Sequence, residues 1–291
     1  MKPTSHRAWL LLIPAGLLLG FVGILPLVAV VNYSFLDLFV ITNPFWVGVQ
    51  WYEAIVASPR FYASLGRSLA FSALVLAVQL PLGVAIALFI RTLGRWRTPV
   101  LLLMAVPLLV PWNMIPMLWL DLLNPSRGRL ALALQALGVG FDYKFNPVHT
   151  WIVLVVMDTW HWLGLVVVLA TAGLSSIPGV TYQAAAIDSA SRLQVFRFIE
   201  LPRMADVLAM AVLLRFMDSL MIYTEAFRIN AGGPHEATAF LALDLGEEIN
   251  AFNYGPAAAR SVLYFLIVIT VAWAWRSAMA ARRAGGPEPA R

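Results

Sequence analysis

The sequence predicts an all-α, polytopic integral membrane protein with six transmembrane helices and both termini in the cytoplasm. Three observations carry this. Of the 291 residues, 61% are hydrophobic and only 12% are charged, whereas an ordinary soluble domain carries about 25% charged residues. Six apolar stretches reach the length of roughly 20 residues that a hydrocarbon core demands. Lys and Arg are shared unequally between the connections, as expected where positive charge collects on the cytoplasmic side. The chain has no cysteine, which excludes thiol catalysis, thiolate metal sites and disulfides. Its net charge of +5 comes from scattered arginines with lysine only at Lys2 and Lys144. That pattern reflects membrane topology and argues against a nucleic acid partner.

Charges, Pro/Gly clusters and aromatic ends place the spans at about 9–31, 68–90, 99–120, 150–173, 206–226 and 257–275. The first run follows Lys2, His6 and Arg7, is far longer than the apolar core of a signal peptide, and counts as a span. Gly16 and Gly20 in it would allow a close helix approach. Pro107, Pro111 and Pro116 predict a kinked third span. Twelve positive residues fall on the side of the termini: Lys2, Arg7, Arg91, Arg95, Arg97, Arg192, Arg197, Arg203, Arg276, Arg282, Arg283 and Arg291. Seven fall opposite: Arg60, Arg67, Arg127, Arg129, Lys144, Arg228 and Arg260. The chain reads as one membrane domain over 1–291, with a frayed tail near 282–287 and no soluble domain.

Ionisable groups inside spans mark the places where lipid exacts the largest penalty, about 2.5–3.5 kcal/mol each unless paired or wetted. Asp158 and His161 lie in the fourth span beside Trp160 and Trp162, and Arg215 and Asp218 lie in the fifth. Helical spacing puts Asp158, His161, Trp162 and Leu165 on one face and nearly aligns Arg215, Asp218, Ile222 and Glu225 on another. Asp158 and Asp218 fall at matched depth, so two carboxylates would line one vestibule. Arg215 and Asp218 also fit an i, i+3 ion pair that makes the helix insertable. Trp112, Asn113 and Trp119 of the third span fit either a solute path or packing. A path for an uncharged polyol would use carboxylate and imidazole for hydroxyls and indole faces for C–H surfaces.

The cytoplasmic connection 174–205 is the most informative stretch. It predicts a helix start near Pro178, an Ala-rich helix, a bend near Asp188–Ser191 and a second amphipathic helix ended by Pro202. The order Gln183-Ala184-Ala185, Asp188-Ser189-Ala190, Arg192, Phe196, Ile199, Leu201 and Pro202 resembles the EAA loop of permease subunits of ATP-binding-cassette importers in the carbohydrate branch. Asn230-Ala231-Gly232-Gly233-Pro234-His235-Glu236-Ala237-Thr238 resembles that branch's Gly-Gly-Pro-x-x-x-Thr segment. Gln183 stands where the family usually has glutamate, and Ser189 where it usually has glycine.

The resemblance implies an importer-permease fold and a coupling loop carried by Gln183, Ala184, Ala185, Asp188, Ser189, Ala190 and Arg192. It also implies a second permease as heterodimer partner, two ATP-binding subunits, an extracytoplasmic (periplasmic) solute-binding protein and a bacterial inner-membrane location. Residues 156–162, 214–225 and 255–259 look closest to glycerol-uptake permeases, so glycerol stands first among polyol and sugar solutes. No Gly-x-x-x-x-Gly-Lys-Ser/Thr run occurs, since Pro3 follows Lys2 and Phe145 follows Lys144. The chain therefore reads as no enzyme and as carrying no cofactor, with ATP and Mg held by the partner ATPase. The competing reading is a proton-coupled secondary transporter relaying protons through Asp158, His161 and Asp218. It leaves the long cytoplasmic loop without a task.

Overall fold

A computed structural model describes residues 7–39 and 44–284; Lys2 and His6, and the part of the expected frayed tail from Gly285 onward, lie outside the described residues. The first apolar run forms α1 (Arg7–Leu19), a π-helical turn at Gly20–Ile24 and α2 (Leu25–Tyr33). Then come β1 (Leu36–Asp37), β2 (Phe45–Trp46), α3 (Gln50–Ala57), α4 (Pro59–Ile90), α5 (Arg97–Ala105), α6 (Met114–Leu122) and α7 (Arg129–Ala136). α8 (Pro147–Ser175) precedes the short α9 (Gly179–Ile187) and α10 (Arg192–Val195), and a π turn at Phe196–Glu200 leads into α11 (Leu201–Ser219). α12 (Thr224–Asn230), α13 (Leu241–Asn250) and α14 (Tyr254–Ala284) complete the order.

Among the described residues, four helical runs are long and apolar enough to cross a membrane: Leu12–Tyr33, Pro59–Leu109, Pro147–Ser175 and Tyr254–Ala281. The second holds 51 residues, about 77 Å of helix at about 1.5 Å per residue, more than twice a hydrocarbon core of about 30 Å. It reverses direction at Gly94, whose φ of 52° and ψ of −116° are open to glycine and costly for other residues.

Two expected spans are interrupted. Instead of a kink over 99–120, a 3-10 turn at Val106–Leu109 gives way to extended backbone at Val110 before α6 begins. Pro107 and Pro111 each lack an amide donor and restrict the residue before them, which breaks the ladder outright. The expected fifth span, 206–226, stops as a helix at Ser219, so Ile222 and Glu225 do not continue the face of Arg215 and Asp218. The expected stop at Pro202 is also corrected: Pro202 sits in the first turn of α11, and the preceding π turn lets the helix run on.

The chain divides into two compact units, one formed by residues up to Tyr62 with Asp244–Val271, the other by Ala63–Leu243 with the segment from Ala272. In the first, β1 and β2 pair antiparallel with Leu36 opposite Trp46, a small strand pair beside the expected helices. Trp51 Nε1 donates to the Leu36 carbonyl at 3.0 Å, and Tyr52 donates to Ser34 Oγ at 2.6 Å. Arg60 pairs with Asp244 at 2.9 Å and Glu247 at 2.5 Å. Among the described residues the Gly16–Gly20 pattern makes no close approach, since a Cβ at either would meet nothing within 4 Å.

The second unit is built around α8. Its N-terminal half packs with α4, α6 and α12 in a core that includes Phe71, Val75, Ile115, Leu154, Met157, Ile222 and Phe240. Its other half packs Ala170 and Leu174 with Val84, Ala87 and Met204. Contacts fix the helix directions. Phe71 packs beside Trp151 and Gly83 lies against Val166, so α4 runs parallel to α8. Arg97 reaches Ser175 while Met104 lies on Gly164, so α5 returns antiparallel. α11 is antiparallel too, with Met204 beside Gly173 and Arg215 bonded to Asp158. A Cβ on Gly164 would sit 2.0 Å from the Met104 carbonyl oxygen, so the absence of a side chain there permits the α5–α8 approach.

Candidate functional site

The ionisable groups of the apolar helices gather around one guanidinium. Arg215 is 1% exposed. Its Nη2 donates to Asp158 Oδ2 at 2.5 Å, its Nε donates to Gln79 Oε1 at 2.9 Å, and its Nη1 pairs with Asp218. Gln79 Nε2 in turn donates to Asp158 Oδ2 at 2.6 Å. The guanidinium carbon lies 4.7 Å from the centroid of the Trp162 ring, a cation–π contact. Three helices therefore contribute to one buried polar knot, α4 through Gln79, α8 through Asp158 and α11 through Arg215 and Asp218. Removing one partner of such a buried pair strands the other charge, at a cost of roughly 3–5 kcal/mol.

The two carboxylates do come together, but through Arg215 between them. Asp158 Oδ1 accepts no hydrogen bond among the described residues, and the Asp218 side chain remains 21% exposed. His161 is buried, and its Nδ1 has no hydrogen-bond partner among the described residues. Trp112 stands edge-on to both His161 and Trp162, at centroid distances of 6.3 and 5.7 Å. Trp160 is not part of this group: it packs edge-on against Trp119 beside the apolar core. Asn113 is exposed and caps nothing with its side chain. Gln79 escaped the sequence reading, although an amide inside the apolar run 68–90 was the available signal.

The 174–205 connection forms the helix–bend–helix unit that its sequence predicts. α9 ends in a Schellman arrangement, with Ala190 N–H donating to Ala185 O at 2.9 Å and Ser189 N–H to Ala186 O at 3.1 Å. Ser189 occupies the left-handed position with φ 52°, where a residue other than glycine costs roughly 1–2 kcal/mol. Ser191 and Gln194 then form a capping box that starts α10. Gln183, Ala184, Asp188, Ser189 and Arg192 are exposed, Ala185 is buried, and Ala190 is half-buried.

What holds this loop is a residue that the sequence pattern does not single out. Glu200 is fully buried, and its Oε1 accepts from Arg91 at 2.8 Å, from Arg192 at 2.9 Å and from the Tyr182 hydroxyl at 3.3 Å. Arg91 also donates to Tyr182 at 2.8 Å and lies over its ring. Burial pushes the Tyr182 phenol above its ordinary pKa, the nearby Arg91 charge opposing the shift, so the phenol stays protonated at neutral pH. The end of α4, both loop helices and the start of α11 are thus tied at one carboxylate.

The Gly-Gly-Pro segment closes on itself. Thr238 is fully buried, donates through Oγ1 to Asn230 Oδ1 at 3.1 Å and through N–H to the Gly232 carbonyl at 2.8 Å. Arg67 of α4 and Trp151 of α8 donate to the Ala239 and Ala237 carbonyls at 2.9 and 2.8 Å. These bonds tie the segment to α4 and α8.

Fold and site define a polytopic helical membrane protein that presents a braced helix–bend–helix loop. Residues 79–282 match the family of binding-protein-dependent transport system inner membrane components, and the chain belongs to that family of carbohydrate-branch importer permeases. The trehalose/maltose transport system permease protein MalF of Thermococcus litoralis is 28% identical over 266 residues, covering 87% of this chain and 90% of that protein. The sn-glycerol-3-phosphate transport system permease protein UgpA of Rhizobium meliloti is 31% identical over 232 residues, 77% of each chain. A chain in the crystal structure of a bacterial transporter importing the polysaccharide alginate shares the fold, with a TM-score of 0.81 at 20% identity, covering 96% of this chain and 97% of that one.

Proposed function

We propose that this chain forms the translocation path of an ATP-driven importer for a polyol or sugar, glycerol first, and takes up the work of a separate ATPase through its 174–205 loop. The observation that carries the reading is the loop itself. Exposed Gln183, Ala184 and Asp188 are displayed by α9 and its C-cap, which with α10 is tied by Glu200 to α4 and α11. A push on the loop would therefore move transmembrane helices as well as the loop. MalF and UgpA are named for a disaccharide and a polyol phosphate, which supports the polyol or sugar class. The 156–162, 214–225 and 255–259 segments favour glycerol within it.

In this reading 1–291 is one permease domain that crosses the membrane six times with both termini cytoplasmic. The reversal at Gly94 supports counting Pro59–Leu109 as two passes, and the antiparallel packing of α11 on α8 supports a further one. Partners are a second permease, two ATP-binding subunits holding ATP and Mg, and a periplasmic solute-binding protein. Asp158 Oδ1, Asp218, His161 Nδ1 and the Trp112 and Trp162 rings supply hydroxyl partners and apolar faces for the solute. Proton relay is disfavoured because Arg215 engages both carboxylates. The test is purification of the tagged chain from its native membrane. An ATPase that co-purifies and hydrolyses ATP faster when solute and binding protein are added supports the reading; proton-driven uptake by the isolated chain in liposomes overturns it.

A further inference from the structure

Beneath the foot of α9 lies a cavity of about 220 Å³ lined by Ala87, Arg91, Arg97, Thr171, Leu174, Ser175, Ile177, Gly179 and Tyr182. Its charge is one-sided. Two guanidinium groups reach it and no carboxylate lines it. Glu200, outside the lining, is shared between Arg91 and Arg192, so it cannot neutralise both. Arg97 bonds Ser175 Oγ and has no carboxylate within 4.0 Å among the described residues.

Two further features fit an anion. α9 begins at Gly179 after an extended Pro178 with no side-chain cap; the Thr181 amide bonds the Pro178 carbonyl at 3.1 Å, which leaves the Gly179 and Val180 amides open to an acceptor among the described residues, and a Cβ on Gly179 would meet nothing within 4 Å. Independently, Thr171 is 5% exposed and lines the cavity, and its Oγ1 has no hydrogen-bond partner among the described residues. A buried hydroxyl without a partner costs free energy that a bound acceptor would recover. The volume is below the roughly 300–1,000 Å³ of sites for drug-sized ligands, but holds a phosphoryl group with a small ester substituent.

We propose that this cavity is a phosphoryl-binding site, in which Arg97, Arg91, Thr171 and the α9 amide end hold a phosphate oxyanion against the base of the loop. The group would arrive either as a free phosphate species or as an anionic lipid headgroup. Access from the cytoplasm rests on the orientation proposed above; binding does not. Failure of the loop to couple ATP would leave this site standing, and failure of binding would leave coupling standing.

The experiment uses the full chain, purified in neutral detergent and delipidated. Its thermal midpoint is followed against inorganic phosphate, with chloride at equal ionic strength as reference, and retention of phosphatidylglycerol against phosphatidylcholine is counted by native mass spectrometry. The expected result is saturable stabilisation by phosphate, selective retention of phosphatidylglycerol, or both. Phosphate alone identifies a free anion, and phosphatidylglycerol alone identifies a headgroup. Arg97→Ala and Thr171→Val should each weaken the response about tenfold, the scale of a lost hydrogen bond to a charged group. Arg95→Ala, a nearby arginine outside the cavity, should leave it unchanged. Thr171→Val preserves shape and carries the test if Arg97→Ala yields no folded protein. Equal responses in the wild type and both cavity variants, or no response to either ligand, overturn the proposal.

Discussion

Arg215 sets what single substitutions will do. It is fully buried and holds Asp158, Gln79 and Asp218 at once. Asp158→Asn removes a charge that the guanidinium needs, so complex yield and thermal stability should fall by roughly 3–5 kcal/mol, and a second change, Arg215→Met, should restore much of the loss. His161→Ala is the cleaner probe of solute contact, because Nδ1 has no protein partner to lose. If imidazole meets a solute hydroxyl, surface-normalised uptake should weaken by the equivalent of about 0.5–1.5 kcal/mol with yield unchanged. Unchanged uptake would remove His161 from the path. Ser189 offers a gain: Ser189→Gly relieves the left-handed backbone and should stabilise the folded chain by up to about 1 kcal/mol, read as a raised thermal midpoint.

The elements show why some features could be read from sequence and others could not. Residues 150–173 were legible because an uninterrupted apolar run has one low-energy form in lipid, and α8 extends it by only a few residues at each end. The loop was legible for a different reason: Pro178, the alanines, Asp188 and Ser191 are local punctuation, and local signals survive in any tertiary context. The helices expected for the third and fifth spans are interrupted where apolar content continues through a break; the three prolines of 107–116 gave warning, whereas Met221 to Tyr223 gave none. Gln79 was invisible as a site residue because its partners Asp158 and Arg215 lie 79 and 136 positions away along the chain, and the role of Glu200 as a tie was invisible because its bond to Arg91 spans 109 positions. Glu200→Gln tests the element they support. It should leave α9 intact but loosen its attachment, costing about 1.5–3 kcal/mol and exposing the loop to faster proteolysis near Asp188. Protection equal to wild type would show that the carboxylate is not the tie.

At the scale of the whole molecule, the proposed function requires a connection between an event at the 174–205 loop and the helices of the membrane path. α9 and α10 carry the exposed loop surface, Glu200 binds them to α4 and α11, and Asp158 and Arg215 bind α11 to α8 some distance along the same helices. The most direct test of this chain of contacts is solute uptake by the assembled complex carrying Ala185→Trp and Asp188→Lys together, normalised to the amount of complex in the membrane. Asp188 lies outside the apolar spans, so insertion should be normal. The account predicts that ATP-dependent uptake is abolished while the chain reaches the membrane at wild-type level. Wild-type uptake in a well-expressed double variant would contradict it.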